Sequence, residues 1–271
     1  MSYEAITYDF DERVAVLTFN RPDKLNAFNQ TMKNEVRDAI AAFSADEERR
    51  VLVITGAGGR AFSAGYDLKE AGGQARTDLS VWRARMADDF SFTRAPWDCG
   101  KPVIAMIEGH CLAGALEFAQ MCDIRYCSEG STFGVVETRF SAGVVTLAMP
   151  WIIGARAREM ILSGDTIGAE EARQIGLVNR VFAKSELRAE TMKRAKRMSQ
   201  VAMACLQWNK RAINQTYETM GFSTAMQYGV EACTILDSTV TPEYQEFSNR
   251  RRDEGLAAAI RWRDEQFRRY E

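Results

Sequence analysis

The stretch Gly109-His110-Cys111-Leu112-Ala113-Gly114-Ala115-Leu116-Glu117 follows an apolar, strand-like run, Val103–Ile107. Its small residues form a turn that leads into a helical pattern, so free backbone N–H groups would lie at the positive end of a helix dipole. A second stretch, Ala61-Phe62-Ser63-Ala64-Gly65-Tyr66-Asp67-Leu68, follows another apolar run, Val51–Thr55. Backbone amides that point at one position stabilise a developing oxyanion. These two turns therefore predict a strand–turn architecture and an enzyme.

Strands and helices alternate around the two turns. Ile6–Phe10 and Val14–Phe19 are typical of a hairpin, and the remaining patterns predict strands at 51–55, 103–107 and 124–127 and helices at 29–45, 79–92 and 115–121. A looser region with Gly72-Gly73 precedes the second helix. The alternation predicts an α/β fold whose core, residues 1–184, is built from repeated ββα-like units.

Beyond Ser185 the sequence becomes helical. Three long patterns, at about 185–220, 222–237 and 242–269, predict a helical C-terminal region, 185–271, that covers the core or a neighbouring subunit. Its apolar side chains are expected to pack there: Met203, Leu206, Trp208, Ile213, Tyr217 and Met226.

Composition restricts the class of function. The net charge of -2 gives no support for nucleic-acid binding. A single histidine argues against a zinc site built on imidazoles, and six cysteines without a CxxC pair are expected to be reduced and structural. The N-terminus lacks the pattern of a signal peptide, and no apolar run reaches the ~20 residues needed to span a bilayer. We therefore expect a cytoplasmic protein without a membrane partner.

Two glutamates are candidates for proton transfer. Glu117 lies in an apolar helical turn, and Glu137 ends the apolar stretch Phe133–Val136. The predicted strand 124–127 between them can return the chain to the same end of the sheet. If both carboxyl groups face one cleft, their pKa values can separate and divide the acid and base roles. Spacing alone leaves open the alternative that Glu117 faces solvent.

Two other motifs favour structural interpretations. Gly56-Ala57-Gly58-Gly59-Arg60-Ala61 fits the GxGxxG/A pattern of a dinucleotide-binding turn, but the residues that follow it break helical continuation. We interpret it as a glycine-rich loop. The alternative function, that of an oxidoreductase, would require that the protein bind a nicotinamide or flavin cofactor. His110 has no evident partner for nucleophilic catalysis and is expected to be structural.

The motifs together resemble the enoyl-CoA hydratase/isomerase (crotonase) superfamily over essentially the full chain. The matching elements, in order, are Asn20–Ala27, Ala61–Glu70, Lys101–Ala105, Gly109–Asp123, Phe133–Glu137, Ser163–Asp165, Ala169–Ala172 and Gly176–Asn179. The resemblance implies a crotonase-like spiral of ββα units with a helical C-terminal oligomerisation region, and a homotrimer or a dimer of trimers. It also implies an acyl-CoA substrate, of which coenzyme A is a part, and no separate metal or redox cofactor.

The resemblance also implies roles for individual residues. The amides of Tyr66 and Gly114 would form the oxyanion hole, and Glu117 and Glu137 would flank the C2–C3 double bond, as in the hydratases. Contacts to coenzyme A would involve Lys24, Leu25, Ala64, Asp67 and Leu68. The implied reaction is hydration of a trans-2-enoyl-CoA through a thioester enolate, with the acid and the base unassigned.

The chain departs from the hydratase pattern at two places. Thr138-Arg139-Phe140-Ser141-Ala142-Gly143-Val144-Val145 replaces a loop that is usually rich in glycine and proline, and Tyr66 is larger than the usual small residue. Arg139 would meet either a polar acyl group or a surface or subunit interface. The alternatives are therefore a Δ3-Δ2-enoyl-CoA isomerase, a hydratase-lyase for an aromatic acyl-CoA, and a non-catalytic acyl-CoA- or RNA-binding relative.

Overall fold

The structure is a computed structural model that describes residues 3–71 and 78–270. The predicted loop at Gly72-Gly73 lies outside the described residues. Within them the strands are β1 (Ile6–Asp11), β2 (Val14–Phe19), β3 (Val51–Gly56), β4 (Ala61–Ser63), β5 (Val103–Ile107), β6 (His110–Leu112), β7 (Ile124–Ser128), β8 (Thr132–Gly134), β9 (Thr166–Gly168) and β10 (Arg180–Phe182).

The helices connect these strands and then form the C-terminal region. They are α1 (Gln30–Ala45), α2 (Leu68–Ala71), α3 (Leu79–Asp98), α4 (Gly114–Met121), α5 (Met149–Ile153), α6 (Arg156–Ser163), α7 (Ala169–Gln174), α8 (Leu187–Met198), α9 (Met203–Thr219), α10 (Phe222–Asp237), α11 (Pro242–Glu254) and α12 (Leu256–Arg268). Short 3₁₀ turns occupy Pro22–Lys24 and Val136–Phe140.

The strands form two sheets that the chain visits in turn. The larger sheet has the order β1-β2-β3-β5-β7-β10, and the smaller has the order β4-β6-β8-β9. Each successive unit contributes one strand to each sheet, in the pairs β3 and β4, β5 and β6, and β7 and β8. Neighbouring units add parallel strands, whereas β1 and β2 form the predicted antiparallel hairpin. The prediction of a crotonase-like α/β spiral of ββα units is confirmed.

Burial on both faces explains why the central strands of the larger sheet, such as β3 and β5, are almost wholly apolar. Alternate side chains of a strand point to opposite faces. Along β3, Leu52 and Ile54 join the main core, whereas Val51 and Val53 pack on the other face, together with Leu187 of α8. Parallel strands covered on both sides need such continuous apolar runs.

The helical C-terminal region is more divided than the sequence patterns predicted. The pattern 185–220 forms two helices, α8 and α9, because α8 ends at Met198, and the hydroxyl of the next residue, Ser199, donates to the Lys196 carbonyl. The pattern 242–269 also forms two helices, which separate at Gly255, where φ is 89°. Conversely, the helix predicted at 79–92 extends to Asp98.

Two of the apolar side chains expected to pack in this region do not pack within the chain. Trp208 is 65% exposed and Ile213 is 58% exposed, although Met226 is buried as expected. Both exposed residues lie on α9, where Lys210 is the residue that the chain itself buries. The packing prediction is therefore wrong for Trp208 and Ile213 within a single chain.

The structure also describes the cysteines and the helices to which two of the sequence predictions refer. All six cysteines are free thiols, and all except Cys205 are buried. No described helix combines the length and the apolar character needed to cross a bilayer.

Replacing Phe19 with alanine tests the main core. Its ring is fully buried and lies 5.2 Å from the ring centres of both Phe28 and Phe62. We expect Phe19→Ala to lower the free energy of unfolding by about 3–5 kcal/mol, because the cavity lies in a packed core. Urea denaturation measures this change. Phe10→Ala is the control, since Phe10 is half exposed, and an equal loss in both variants would contradict the assignment of the core.

Candidate active site

The two turns singled out in the sequence touch each other. Gly65 has a φ of 89°, and a Cβ atom added there would lie 2.8 Å from Ala113 Cβ and 3.2 Å from Gly114 N. A larger residue at position 65 would therefore separate the turns. The structure thus brings together the predicted oxyanion pair, Tyr66 and Gly114.

The backbone around the two amides is held in place from both sides. The Phe28 N–H donates to the Gly65 carbonyl at 2.8 Å, and the Asp67 N–H donates to the Phe28 carbonyl at 3.0 Å. Ala113 adopts φ 53° and ψ −135°, a strained conformation for alanine. Among residues 3–71 and 78–270, the N–H groups of Tyr66 and Gly114 have no hydrogen-bond acceptor. The two amides are therefore available to an oxyanion.

The side chain of Tyr66 forms one wall of the site. A Cβ atom at Gly114 would lie 2.4 Å from its ring, so only glycine permits this contact. The phenol oxygen lies 3.4 Å from the Asp89 carbonyl oxygen, and burial raises the pKa of Tyr66 well above its usual value. The ring also lines a cavity of about 350 Å³ whose other walls include Phe28, Lys33, Arg85, Asp88 and Asp89.

Glu117 points into the protein rather than into solvent. It lies in the first turn of α4 and is 3% exposed, so the alternative of a solvent-facing side chain is wrong. Its Oε2 accepts from the Thr146 N–H at 2.7 Å, and its Oε1 accepts from the Val145 N–H at 3.2 Å. Burial raises the pKa of Glu117 to about 7, and these two hydrogen bonds oppose the rise because they stabilise the carboxylate.

Glu137 meets Glu117 from the 3₁₀ turn Val136–Phe140. Its carboxyl group is buried and lies within hydrogen-bonding reach of the Glu117 carboxyl group. Among the described residues, Glu137 Oε2 has no hydrogen-bond partner. Burial, followed by the negative charge of Glu117, raises the pKa of Glu137 well above its usual value. The two carboxyl groups therefore titrate as a coupled pair, in which both pKa values lie above the usual value and that of Glu137 is raised further.

The residues that the resemblance assigns to coenzyme A lie in one corner beside these turns. The Ala64 N–H donates to the Leu25 carbonyl at 3.0 Å, and Leu68 begins α2 directly after Asp67. Asp67 is paired with Arg21 at 3.0 Å. The Lys24 side chain is half exposed, and its ammonium group lies 3.2 Å from Asp23.

Sequence reasoning missed two residues that build this corner. Arg21 connects to Asp67 and to the Ala27 carbonyl. Asn26 is fully buried with a φ of 55°, and its Nδ2 donates to the carbonyls of Ala57 and Ala61. Both lie in the motif Asn20–Ala27, so this motif was the sequence signal that could have identified them.

Three other candidates have structural roles. The glycine-rich stretch at 56–61 leads into strand β4 rather than a helix, which confirms its interpretation as a plain loop. His110 is exposed and its Nδ1 lies 2.8 Å from Thr132 Oγ1. Arg139 pairs with Asp165 and lies over the Phe267 ring of α12. No group of three or more His, Cys, Asp or Glu side chains within the described ranges is arranged to hold a metal ion.

Comparison with known proteins places this geometry in a family. The family model for enoyl-CoA hydratase/isomerase matches residues 9–249. A probable enoyl-CoA hydratase of Mycobacterium bovis is 33% identical, covering 98% of this chain and 99% of its own length. A crotonyl-CoA hydratase of Syntrophomonas wolfei is 32% identical, covering 81% of this chain and 85% of its own. The crystal structure of an enoyl-CoA hydratase/isomerase from Xanthobacter autotrophicus Py2 superposes with a TM-score of 0.94 at 36% identity, covering 98% of this chain and 99% of that one.

The raised pKa of Glu137 predicts how stability depends on pH. The folded state holds a proton on Glu137 at a pH where the unfolded state has released it. The free energy of unfolding should therefore fall as pH rises above the unfolded value of about 4.3. Glu137→Gln removes this titration, so its stability should fall less between pH 5 and pH 8. Urea denaturation at several pH values measures both slopes, and equal slopes would contradict a buried neutral Glu137.

Proposed function

The chain belongs to the enoyl-CoA hydratase/isomerase family, and we propose that it adds water across the C2–C3 double bond of a trans-2-enoyl-CoA. The observation that carries this proposal is the contact between the buried carboxyl groups of Glu117 and Glu137 beside the two turns. Hydration needs a base for water and an acid for carbon at the same time. Two carboxyl groups that share one proton supply both.

In the proposed reaction the thioester oxygen accepts hydrogen bonds from the amides of Tyr66 and Gly114. Charge that develops on this oxygen as the enolate forms is then stabilised, and one such donor typically contributes roughly 2.7–4 kcal/mol. No metal ion or redox cofactor has a role in this scheme, because the amides polarise the carbonyl and the carboxyl groups move the protons.

The protonation states divide the roles of the two glutamates. The Glu117 carboxylate takes a proton from water as the water oxygen bonds to C3, and neutral Glu137 gives its proton to C2. Glu117 is then protonated and Glu137 is ionised. Because the two carboxyl groups lie within hydrogen-bonding reach, the proton can return to Glu137 directly and restore the starting state.

The residues at the corner support binding of the coenzyme A portion. We assign this contact to Lys24, Leu25, Ala64, Asp67 and Leu68. Arg21 and Asn26 hold the backbone of this corner through the hydrogen bonds described above.

Hydration, isomerisation and aromatic hydratase-lyase activity differ in substrate and product. An isomerase moves a proton between carbons of a 3-enoyl-CoA and consumes no water, so one carboxyl group is sufficient. A hydratase-lyase for an aromatic acyl-CoA would use the Tyr66 wall against a ring. The retention of two paired glutamates favours hydration.

Replacing either glutamate with glutamine tests the proposal. We expect the unmodified enzyme to remove the conjugated-thioester absorbance of a short trans-2-enoyl-CoA and to form the 3-hydroxyacyl product. Glu117→Gln and Glu137→Gln should each lower kcat by about 10²–10⁴-fold, since each removes one proton-transfer group. Binding of a saturated acyl-CoA, measured by calorimetry, should change little.

Glu186→Gln is the matched control, because Glu186 is exposed at the start of α8. It should retain full activity. Full activity in either active-site variant would contradict the role assigned to that glutamate. Conversion of a 3-enoyl-CoA without hydration of the 2-enoyl-CoA would favour the isomerase, and tight binding without turnover would favour a non-catalytic relative.

We also propose that the helical region, residues 185–271, assembles the chain into a homotrimer or a dimer of trimers. Large apolar side chains of α9 and α10 are exposed in the single chain: Trp208, Ile213, Tyr228 and Ile235. Exposed apolar side chains on neighbouring helices are typical of an interface with another subunit.

A cytoplasmic location stays a prediction, which cell fractionation would test.

Trp208→Glu tests the assembly. We expect the unmodified protein to have three or six times the 30.5 kDa mass of the chain in size-exclusion chromatography with light scattering. A charge at the centre of an apolar interface should dissociate the variant into smaller species. Phe10→Glu, at a half-exposed position on β1, should leave the mass unchanged. A monomeric unmodified protein would contradict the proposal.

A further inference from the structure

Helix α10 contacts the segment 141–147, which we call the active-site loop, along one stripe of residues. Gly229, Cys233 and Asp237 are spaced four residues apart and therefore lie on one face of the helix. A Cβ atom at Gly229 would lie 3.0 Å from Leu147 Cβ, and one at Gly143 would lie 2.8 Å from Cys233 Cα. Glycine on each partner thus allows the loop to lie directly against the helix.

Asp237 ends the stripe with a directed hydrogen bond. Its Oδ2 accepts from the Gly143 N–H at 3.2 Å and from the Cys233 thiol at 3.0 Å. Asp237 is 6% exposed. A buried carboxylate that binds a loop amide fixes the position of that loop, because an unpaired buried charge would be costly.

The same loop also binds Glu117. Val145 and Thr146, two and three residues after Gly143, donate the amides that hold the Glu117 carboxylate. The Thr146 hydroxyl is paired with the Thr93 hydroxyl of α3. The Val145 side chain is buried among residues of α3 and α10, namely Trp82, Met86, Val230 and Cys233. The loop is therefore fixed from α3 on one side and from α10 on the other.

We propose that Asp237 is a positioning residue, which holds the active-site loop so that its amides fix the carboxylate of Glu117. The inference deepens the proposed function and rests on it for the catalytic role of Glu117. It makes α10, a helix of the C-terminal region, part of the machinery that sets the base. Other titratable groups that interact electrostatically with the carboxyl pair are those of Tyr66, Asp89 and Cys233.

Two substitutions at Asp237 separate positioning from charge. Asp237→Asn keeps an oxygen that accepts from Gly143 but removes the negative charge, which should leave the pKa of Glu117 unchanged or lower it. Asp237→Leu removes the acceptor as well, so the loop amides leave the carboxylate and the pKa of Glu117 should rise. The two variants therefore shift this pKa in different directions only if the loop contact matters.

The experiment follows the glutamate carboxyl carbons by ¹³C NMR titration of the full-length protein. Glu117→Gln identifies the Glu117 signal. Hydratase kinetics over pH 5–9 provide the second readout. We expect Asp237→Leu to move the Glu117 titration and the acidic limb of kcat to higher pH and to lower kcat about tenfold at pH 7, with KM within twofold. Asp237→Asn should retain kcat within about twofold.

Glu231→Leu is the control, since it removes a carboxylate from the exposed face of the same helix, where Glu231 pairs with Arg83. Its Glu117 titration should match that of the unmodified protein. If Asp237→Leu does not fold, Gly229→Ala provides a second test, because the added methyl group displaces the loop through Leu147 while favouring the helix. A Glu117 titration in Asp237→Leu or Gly229→Ala that equals that of Asp237→Asn would overturn the inference. Because NMR reads the carboxyl group directly, an inactive unmodified enzyme would contradict the proposed function and leave this test intact.

Discussion

The contact between two buried carboxyl groups is the constraint on which the rest of the site depends. Moving a carboxylate from water into a protein interior costs roughly several kcal/mol of free energy. A second negative charge beside it adds to this cost. One proton relieves the repulsion. A carboxylate at Glu117 requires hydrogen-bond donors, which the amides of Val145 and Thr146 supply.

This requirement explains features that are unfavourable when considered alone. Ala113 is strained at the start of α4, yet its conformation places Gly114 N and Glu117 within one helical turn. Gly114 leaves room for the Tyr66 ring, and the Tyr66 ring in turn closes the site beside the carboxyl pair. Beneath them Phe28 packs against both Tyr66 and Phe118, so the aromatic core directly supports the two turns. The rigidity of the core is thereby transmitted to the two turns.

The sequence predicted the long elements and singled out the two glutamates because each carries a local signal. Strands such as Val103–Ile107 are continuous apolar runs, and Glu117 is a charged residue in an apolar helix. The smaller sheet was not predicted, since its strands β4, β6, β8 and β9 have three residues each and cannot show a period of two. The breaks at Ser199 and Gly255 were missed because a single serine or glycine is tolerated inside a helical pattern and does not by itself end one.

The contacts around the active-site loop could not be predicted, because they join residues 94 and 53 positions apart in the sequence. Gly143 meets Asp237, and Thr146 meets Thr93, through geometry that only the folded chain creates. The proposed acid and base roles depend on the same geometry. Spacing allowed Glu117 and Glu137 to lie at one end of the sheet, whereas only the loop amides distinguish the two carboxyl groups.

The departure of this loop from the glycine- and proline-rich pattern acquires a physical reason from these contacts. A loop of small residues can donate amides to Glu117 but has no side chains with which to hold itself in place. Here the Val145 side chain is buried between α3 and α10, and the hydroxyl of the next residue, Thr146, is paired with α3. The bulkier residues therefore anchor the backbone that carries the donors. The side chains of the loop therefore fix its backbone, and the fixed backbone in turn holds the carboxyl group of Glu117.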